Sequence, residues 1–236
     1  MVQRILVRAK LILTLIIHGH SWLLHQKAPV QLHDFVLIGG HFFNDPKEMI
    51  AAIGEEHLAP LLTKGEFYPL YFNSNPGTLD LLRESIRILR PHCVVETGVA
   101  NGASTRLILQ SFKDFELSNS QLWSFDIDPK VFSLELELNS QFNKQIIDCP
   151  SSFLSAIEKI GTIDLFYHDS DHSYENQLLE YNGAWDALSY KGILISDDVN
   201  WSNAFLDFCK KVNRVPLLLS DSGKFCGMIS KSTAKK

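Results

Sequence analysis

The spacing of apolar positions changes at intervals along this chain, and those changes predict its elements. In "PGTLDLLRESIRILR", residues 76–90, Leu79, Leu82, Ile86 and Leu89 recur at helical spacing, and Pro91 ends the pattern. A short apolar run, "CVVETG", then reads as a strand. From there the pattern alternates: a helix around "STRLILQSF", a strand "QLWSFDID", a helix around "KVFSLELELNSQF" and a strand "KQIID". It continues with a helix "SSFLSAIEKI", a strand "IDLFYHD", a helix from Tyr174 to Ala187 and a strand "GILISDD". Strand alternating with helix predicts a parallel sheet covered by helices on both faces. The tail breaks the rhythm: after a helix near 202–212, "VPLLLS", the turn "DSGK" and "FCGMIS" read as a hairpin, with Pro216 at the start or edge of a strand. The predicted fold is α/β: Rossmann-like, doubly wound, with a mostly parallel seven-stranded sheet, a C-terminal antiparallel hairpin and a helical N-terminal extension.

Three segments follow from this reading. Residues 1–30 form a basic apolar helix, 31–75 a helical and loop extension, and 76–236 the α/β domain. The first 33 residues carry Arg4, Arg8, Lys10 and Lys27 and no acid. The continuous apolar run there, Leu11 to Ile17, is far below the roughly 20 residues a membrane helix needs, and no small-x-small cleavage site follows it. Two readings stay open: a helix docked on the protein or on a partner subunit of a homo-oligomer, or a peripheral membrane contact through residues 1–25. In the extension, "FYPLYFNSNPG" is aromatic and turn-rich, which suits either packing or a lid over a pocket.

Composition narrows the function. With 236 residues, 45% hydrophobic and 21% charged, the chain is sized for one large globular domain, and a formal net charge of -5 argues against nucleic acid as a partner. The four cysteines, Cys93, Cys149, Cys209 and Cys226, show no CxxC pair, so they are expected to be buried thiols in a reducing, cytoplasmic setting. His18, His20 and His25 lie in an apolar stretch without acids, and their grouping reads as chance.

Candidate chemistry begins at the turn after the first strand of the α/β domain, "CVVETGVANGAST". In a doubly wound sheet, ligands bind at the carboxyl ends of the strands where their order reverses. A dinucleotide site would space its glycines G-x-G-x-x-G and lay a pyrophosphate on helix amides. Here Glu96 precedes Gly98, three residues separate Gly98 from Gly102, and the third glycine is absent. A carboxylate at this turn would repel a pyrophosphate and suit a cofactor that carries an ammonium and a sulfonium. Asp126, at the carboxyl end of "SFDID", can accept hydrogen bonds from ribose hydroxyls. Together these features favour S-adenosylmethionine (SAM).

The motifs "VVETGVANGAST", "SFDID", "IDLFYHDSDHSYEN" and "LSYKGILISDDVN" resemble those of class I SAM-dependent methyltransferases over roughly residues 75–230, closest to the small-molecule O-methyltransferases of the catechol, caffeoyl-CoA and macrolide-sugar types. The resemblance implies that Glu96, Gly98, Asn101, Gly102 and Ser104 line the methionine and ribose side of the cofactor and that Asp126 holds the ribose. Asp169, Asp171 and His172 follow one strand, and Asp197, Asp198 and Asn200 follow the next. Crowded carboxylates repel one another unless something positive sits among them, and Mg²⁺ or another divalent cation is the economical answer. Comparison with metal-dependent members suggests Asp169, Asp197 and Asp198 as ligands, with Asp169 and His172 catalytic and His172 taking the acceptor's proton. The catechol-type pattern has Asp-Asn where this chain has Asp197-Asp198; the sugar type has Glu-Asp there and also a histidine at the place of His172.

The bland alternative is that Asp171 or Ser173 merely caps the helix starting at Tyr174, while His168, inside its strand, is expected to be a packed core residue. The function expected is methyl transfer to a hydroxyl of a small molecule or sugar. The alternatives are a non-catalytic SAM-binding or membrane-associated scaffold, or an NAD-dependent oxidoreductase. The last should show G-x-G-x-x-G and a Tyr-x-x-x-Lys pair, and this chain has neither. It also lacks the G-x-S-x-G elbow of a serine hydrolase.

Overall fold

The computed structural model describes residues 76–131, 134–221 and 224–231, together with 40–43, Asp45, Met49 and Ser74. The predicted N-terminal helix, His18, His20 and His25, most of the 31–75 extension and the tip of the hairpin turn lie outside the described residues.

The strands are β1 (His41–Phe43), β2 (Cys93–Thr97), β3 (Gln121–Asp126), β4 (Phe142–Ile146), β5 (Ile163–His168), β6 (Leu188–Ser196), β7 (Leu217–Asp221) and β8 (Lys224–Ser230). The helices are α1 (Pro76–Leu89), α2 (Ala103–Asp114), α3 (Leu134–Glu137), α4 (Pro150–Ile160), α5 (Tyr174–Ala187) and α6 (Ala204–Val212). They surround one sheet in the order β1-β7-β8-β6-β5-β2-β3-β4, in which β8 runs antiparallel to both its neighbours. The expected seven strands are present, and His41–Phe43 adds an eighth, parallel to β7 with His41 opposite Leu217. Its alternation is too short to be recognised in the sequence, and Pro216 sits where its carbonyl accepts the His41 N–H (3.1 Å).

Alternate side chains of the central strands serve two cores, as the period of two requires. Val94, Leu165, Tyr167, Ile193 and Ile195 face one side with Leu81, Leu82 and Ile86 of α1 and Leu107, Ile108 and Phe112 of α2. Val95, Phe166 and Leu194 face the other, against Phe153 and Ile157 of α4, Tyr181 of α5 and Phe205 and Phe208 of α6. Each fully buried large apolar side chain contributes about 1.5–3 kcal/mol, so the two layers hold the central strands in register from both faces.

Two expectations need correction. The helix expected across residues 130–142 is reduced to a single 3-10 turn (Pro129–Val131) and the four-residue α3, and β4 already begins at Phe142. Asn139 explains the early end: its side chain accepts the Gln141 N–H (2.9 Å) and its carbonyl the Phe142 N–H (3.0 Å), a local turn that competes with helix. All four cysteines are free thiols, but only Cys209 and Cys226 are buried; Cys149 is exposed where α4 begins.

The position of β2 matters most for function. It lies between β3 and β5, so the chain winds outward through β3 and β4 and then returns to the other side of β2. Strand order reverses there. Backbone hydrogen bonds extend the ladders past the strand ends: Gly98 N–H to Phe125 O (2.9 Å), Asp169 N–H to Thr97 O (2.8 Å) and Asp197 N–H to His168 O (2.9 Å). Four loops that are distant in sequence are thereby fixed side by side.

Candidate active site

The turn after β2 is built on two glycines in the left-handed region, Gly98 (φ +84°) and Gly102 (φ +74°). At Gly98 the reason is also steric: a Cβ there would lie 2.0 Å from the Asp169 carbonyl oxygen. The turn and the acidic loop after β5 touch through that one hydrogen-bearing position. Arg106, from α2, fastens the turn by donating to the Asn101 carbonyl (2.6 Å), a contact the sequence reading missed.

Glu96 is placed differently from expectation. Its carboxylate is fully buried beneath the turn, accepting hydrogen bonds from Ser104 Oγ, Thr105 Oγ1 (2.7 Å) and Ser124 Oγ (2.7 Å). Burial raises its pKa, with the three hydroxyls opposing. It joins β2, β3 and the start of α2 instead of facing a ligand. Asp126 likewise stands behind the turn: Oδ2 accepts the Val99 N–H (2.8 Å) and Ala100 N–H (3.3 Å), and Oδ1 the Asp128 N–H (2.9 Å). A carboxylate has about four acceptor positions, so Oδ1 can still take a ligand hydroxyl.

A cavity of about 280 Å³ opens above this turn, near the lower end of small-molecule sites. Of the sequence candidates, Gly98, Asn101, Ser104, Asp169, His172 and Asp198 line it; Glu96, Gly102, Asp126 and Asp197 do not. Ser74, Ser170 and Lys224 join the wall, and none of them was singled out from sequence. Polar groups dominate the wall. The polar side chains of the wall and the close approach that Gly98 permits fit a polar ligand better than an apolar one.

Hydroxyls from ahead of and within α1 steady the acids. Ser74 Oγ and Tyr167 OH donate to Asp169 Oδ2 (2.8 and 3.3 Å), and Thr78 Oγ1 donates to Asp197 Oδ1 (3.3 Å). Burial, followed by the Asp197 charge, lifts the Asp169 pKa well above the carboxylate range. Asp197 is pushed up to about 6, again by burial first and then by Asp198. Asp198 adopts φ +48°, a strained conformation for a side chain other than glycine, of the kind held only where surrounding structure over-determines it. His172 Nε2 lies 3.8 Å from Asp169 Oδ1 and 4.0 Å from Asp198 Oδ2, beyond hydrogen-bond distance. Burial lowers its pKa, opposed by the Asp198 and Asp171 charges, which favours the neutral imidazole. Asp171 accepts from the Ser173 N–H (3.0 Å) and Oγ (2.9 Å); Ser173 is the N-cap of α5, but its side chain makes no capping hydrogen bond.

A second buried network supports the loop from below. Glu180 of α5 accepts from Thr97 Oγ1 (2.6 Å), Ser170 Oγ (3.0 Å) and Asn176 Nδ2 (3.1 Å), and burial raises its pKa to about 7. Fully buried His168 approaches it at 3.5 Å, but burial drives the imidazole well below its usual pKa. Both partners are driven toward neutrality, so this contact is polar packing and not an ion pair.

The residues as placed do not fit a divalent cation. Asp197 Oδ2 and Asp198 Oδ1 are buried without partners, and their chemistry suits such an ion. However, no three His, Cys, Asp or Glu side chains among the described residues converge into one coordination sphere. An ammonium, Lys224 Nζ, already lies 3.3 Å from Asp198 Oδ2.

A parallel sheet reversing order at a glycine turn, closed by an antiparallel hairpin, is the fold of the class I SAM-dependent methyltransferases. Residues 95–199 match the family model described as a methyltransferase domain. Similar solved structures include an O-methyltransferase from Bacillus cereus in complex with SAH (TM-score 0.56, 14% identity, 79% of this chain and 90% of that one). Others are a methyltransferase from Geobacter sulfurreducens (0.51, 16%, 68% and 80%) and the O-methyltransferase NovP (0.52, 16%, 66% and 79%). No curated protein matches the chain. Among the described residues no helix is long and apolar enough to cross a membrane.

Proposed function

We propose that this protein transfers a methyl group from SAM to a hydroxyl oxygen of a small molecule or sugar. The observation that carries the reading is the cavity at the switch point of the sheet, walled by the Gly98 turn and His172, with Asp126 directly behind the turn. When bound, SAM supplies an electrophilic methyl carbon on a sulfonium. The turn from Gly98 to Asn101 and Ser104 would hold its amino acid and ribose portions, and Asp126 Oδ1 would accept from a ribose hydroxyl. His172 would take the proton as the acceptor oxygen forms its bond to carbon and the sulfonium leaves as a neutral thioether. Asp169, next to His172, would orient the imidazole. In-line displacement needs alignment above all, and a polar wall with the base on one side supplies it. Metal assistance is left out of this reading, because Lys224 stands at the acid pair.

A scaffold that binds SAM without turning it over would need no base in the cavity. The test is a screen with methyl-labelled SAM over hydroxylated sugars and phenols, run beside His172→Ala. Label transfer by the wild type and its loss in the variant support the proposal; no transfer to any hydroxyl acceptor, with SAM bound, favours the scaffold.

A further inference from the structure

The acids after β5 and β6 pose an electrostatic problem: Asp169, Asp197 and Asp198 crowd one end of the sheet, and two of their oxygens are buried without a partner. We infer that the ammonium of Lys224 supplies, from within the chain, the positive charge that a divalent cation would otherwise provide there, so that the site works without a metal. This rests on the methyltransferase reading of the same cavity.

Two observations carry the inference. Lys224 Nζ is 3.3 Å from Asp198 Oδ2 and forms part of the cavity wall. Its placement is set by the backbone: β8 pairs with β6 through Gly227 and Ser196, and the Val199 N–H donates to the Phe225 carbonyl (2.9 Å). That bond holds the start of β8 against the loop after β6, where Asp198 lies. A cation at this spot offsets the charge of Asp198 from within the cavity wall, which is the electrostatic task of a metal in such a cavity. A divalent ion entering here would meet an ammonium already on the Asp198 carboxylate, and like charges at that range oppose binding.

The test is a titration of the full chain with MnCl₂, the free ion followed by electron paramagnetic resonance, on wild type, Lys224→Arg and Lys224→Met, with SAM affinity measured on the same preparations. Wild type and Lys224→Arg should bind Mn²⁺ no tighter than about 1 mM, the weak end of carboxylate sites. Lys224→Met should bind it at least about tenfold more tightly, because a repelling charge has gone while the acids remain. Micromolar binding by the wild type overturns the inference, as does equal affinity in wild type and Lys224→Met. Should Lys224→Met fail to fold, the wild-type and Lys224→Arg titrations decide alone. Failure to bind SAM in the same samples would instead remove the methyltransferase reading, whatever the Mn²⁺ result.

Discussion

Substituting Gly98 by alanine probes the joint between cofactor turn and acid loop directly. Two costs arise at once. The backbone at φ +84° is left-handed, which costs a residue with a Cβ roughly 1–2 kcal/mol. The new Cβ would also lie 2.0 Å from the Asp169 carbonyl oxygen and 2.8 Å from the Ser170 nitrogen, both backbone atoms that cannot rotate away. Relief requires the loop after β5 to retreat by about 1 Å, an overpacking strain that typically adds another 1–3 kcal/mol. His172 rides on that loop, and a misplacement of about 1 Å in a reacting group can cost on the order of 100-fold in rate. Gly102→Ala is the control. It shares the left-handed strain (φ +74°), but its Cβ would meet side-chain ends alone, Arg106 at 3.2 Å and Leu136 at an ordinary 3.5 Å. Urea denaturation should therefore show Gly98→Ala losing roughly 3 kcal/mol or more and Gly102→Ala about 1 kcal/mol, with the rate loss confined to the former. Equal destabilisation of the two variants would refute the claim that the turn and the acid loop are sterically coupled.

Three further outcomes are expected. Glu180→Gln removes a carboxyl held near 7 in the fold against 4.5 when unfolded; the folded state binds the proton more tightly, so wild-type stability relative to this variant should fall as pH rises from about 4.5 to about 7 and stay flat above. The difference should reach roughly 3 kcal/mol at most, and parallel stability curves from pH-dependent denaturation would contradict it. Asp126→Ala unties the Val99 and Ala100 amides and deletes the proposed ribose acceptor, and calorimetry should show SAM affinity reduced by about tenfold or more. His172→Ala should lower the transfer rate by about 10²–10⁴-fold while SAM affinity is kept, and unchanged turnover would remove it as the base.

The parts of the fold that can be read from sequence are those where period and packing agree. Helix α2 and strands β2 and β5 can be read from the sequence because each buries apolar side chains along its length. The stretch 130–142 misleads because Leu134, Leu136 and Leu138 keep an apolar pattern while Asn139 starts a turn. Leu138 is left exposed. The positions of Gly98, Asp169 and His172 could be anticipated, since topology alone brings strand ends together. The direction of Glu96 could not: whether a strand-end carboxylate faces a ligand or three hydroxyls depends on Ser104, Thr105 and Ser124, which only packing places around it. Lys224 was equally hidden, because the first residue of a late hairpin strand has no motif and reaches the acids only through the β6–β8 register.

Isothermal titration of the purified protein with SAM, alongside NAD, most directly tests the central claim. The account predicts micromolar SAM binding, no NAD signal and weakened SAM binding in Asp126→Ala. Absence of SAM binding, or NAD binding in its place, would show that the turn at Gly98 only links a strand to a helix or serves a different nucleotide, and the proposed reaction would fall with it.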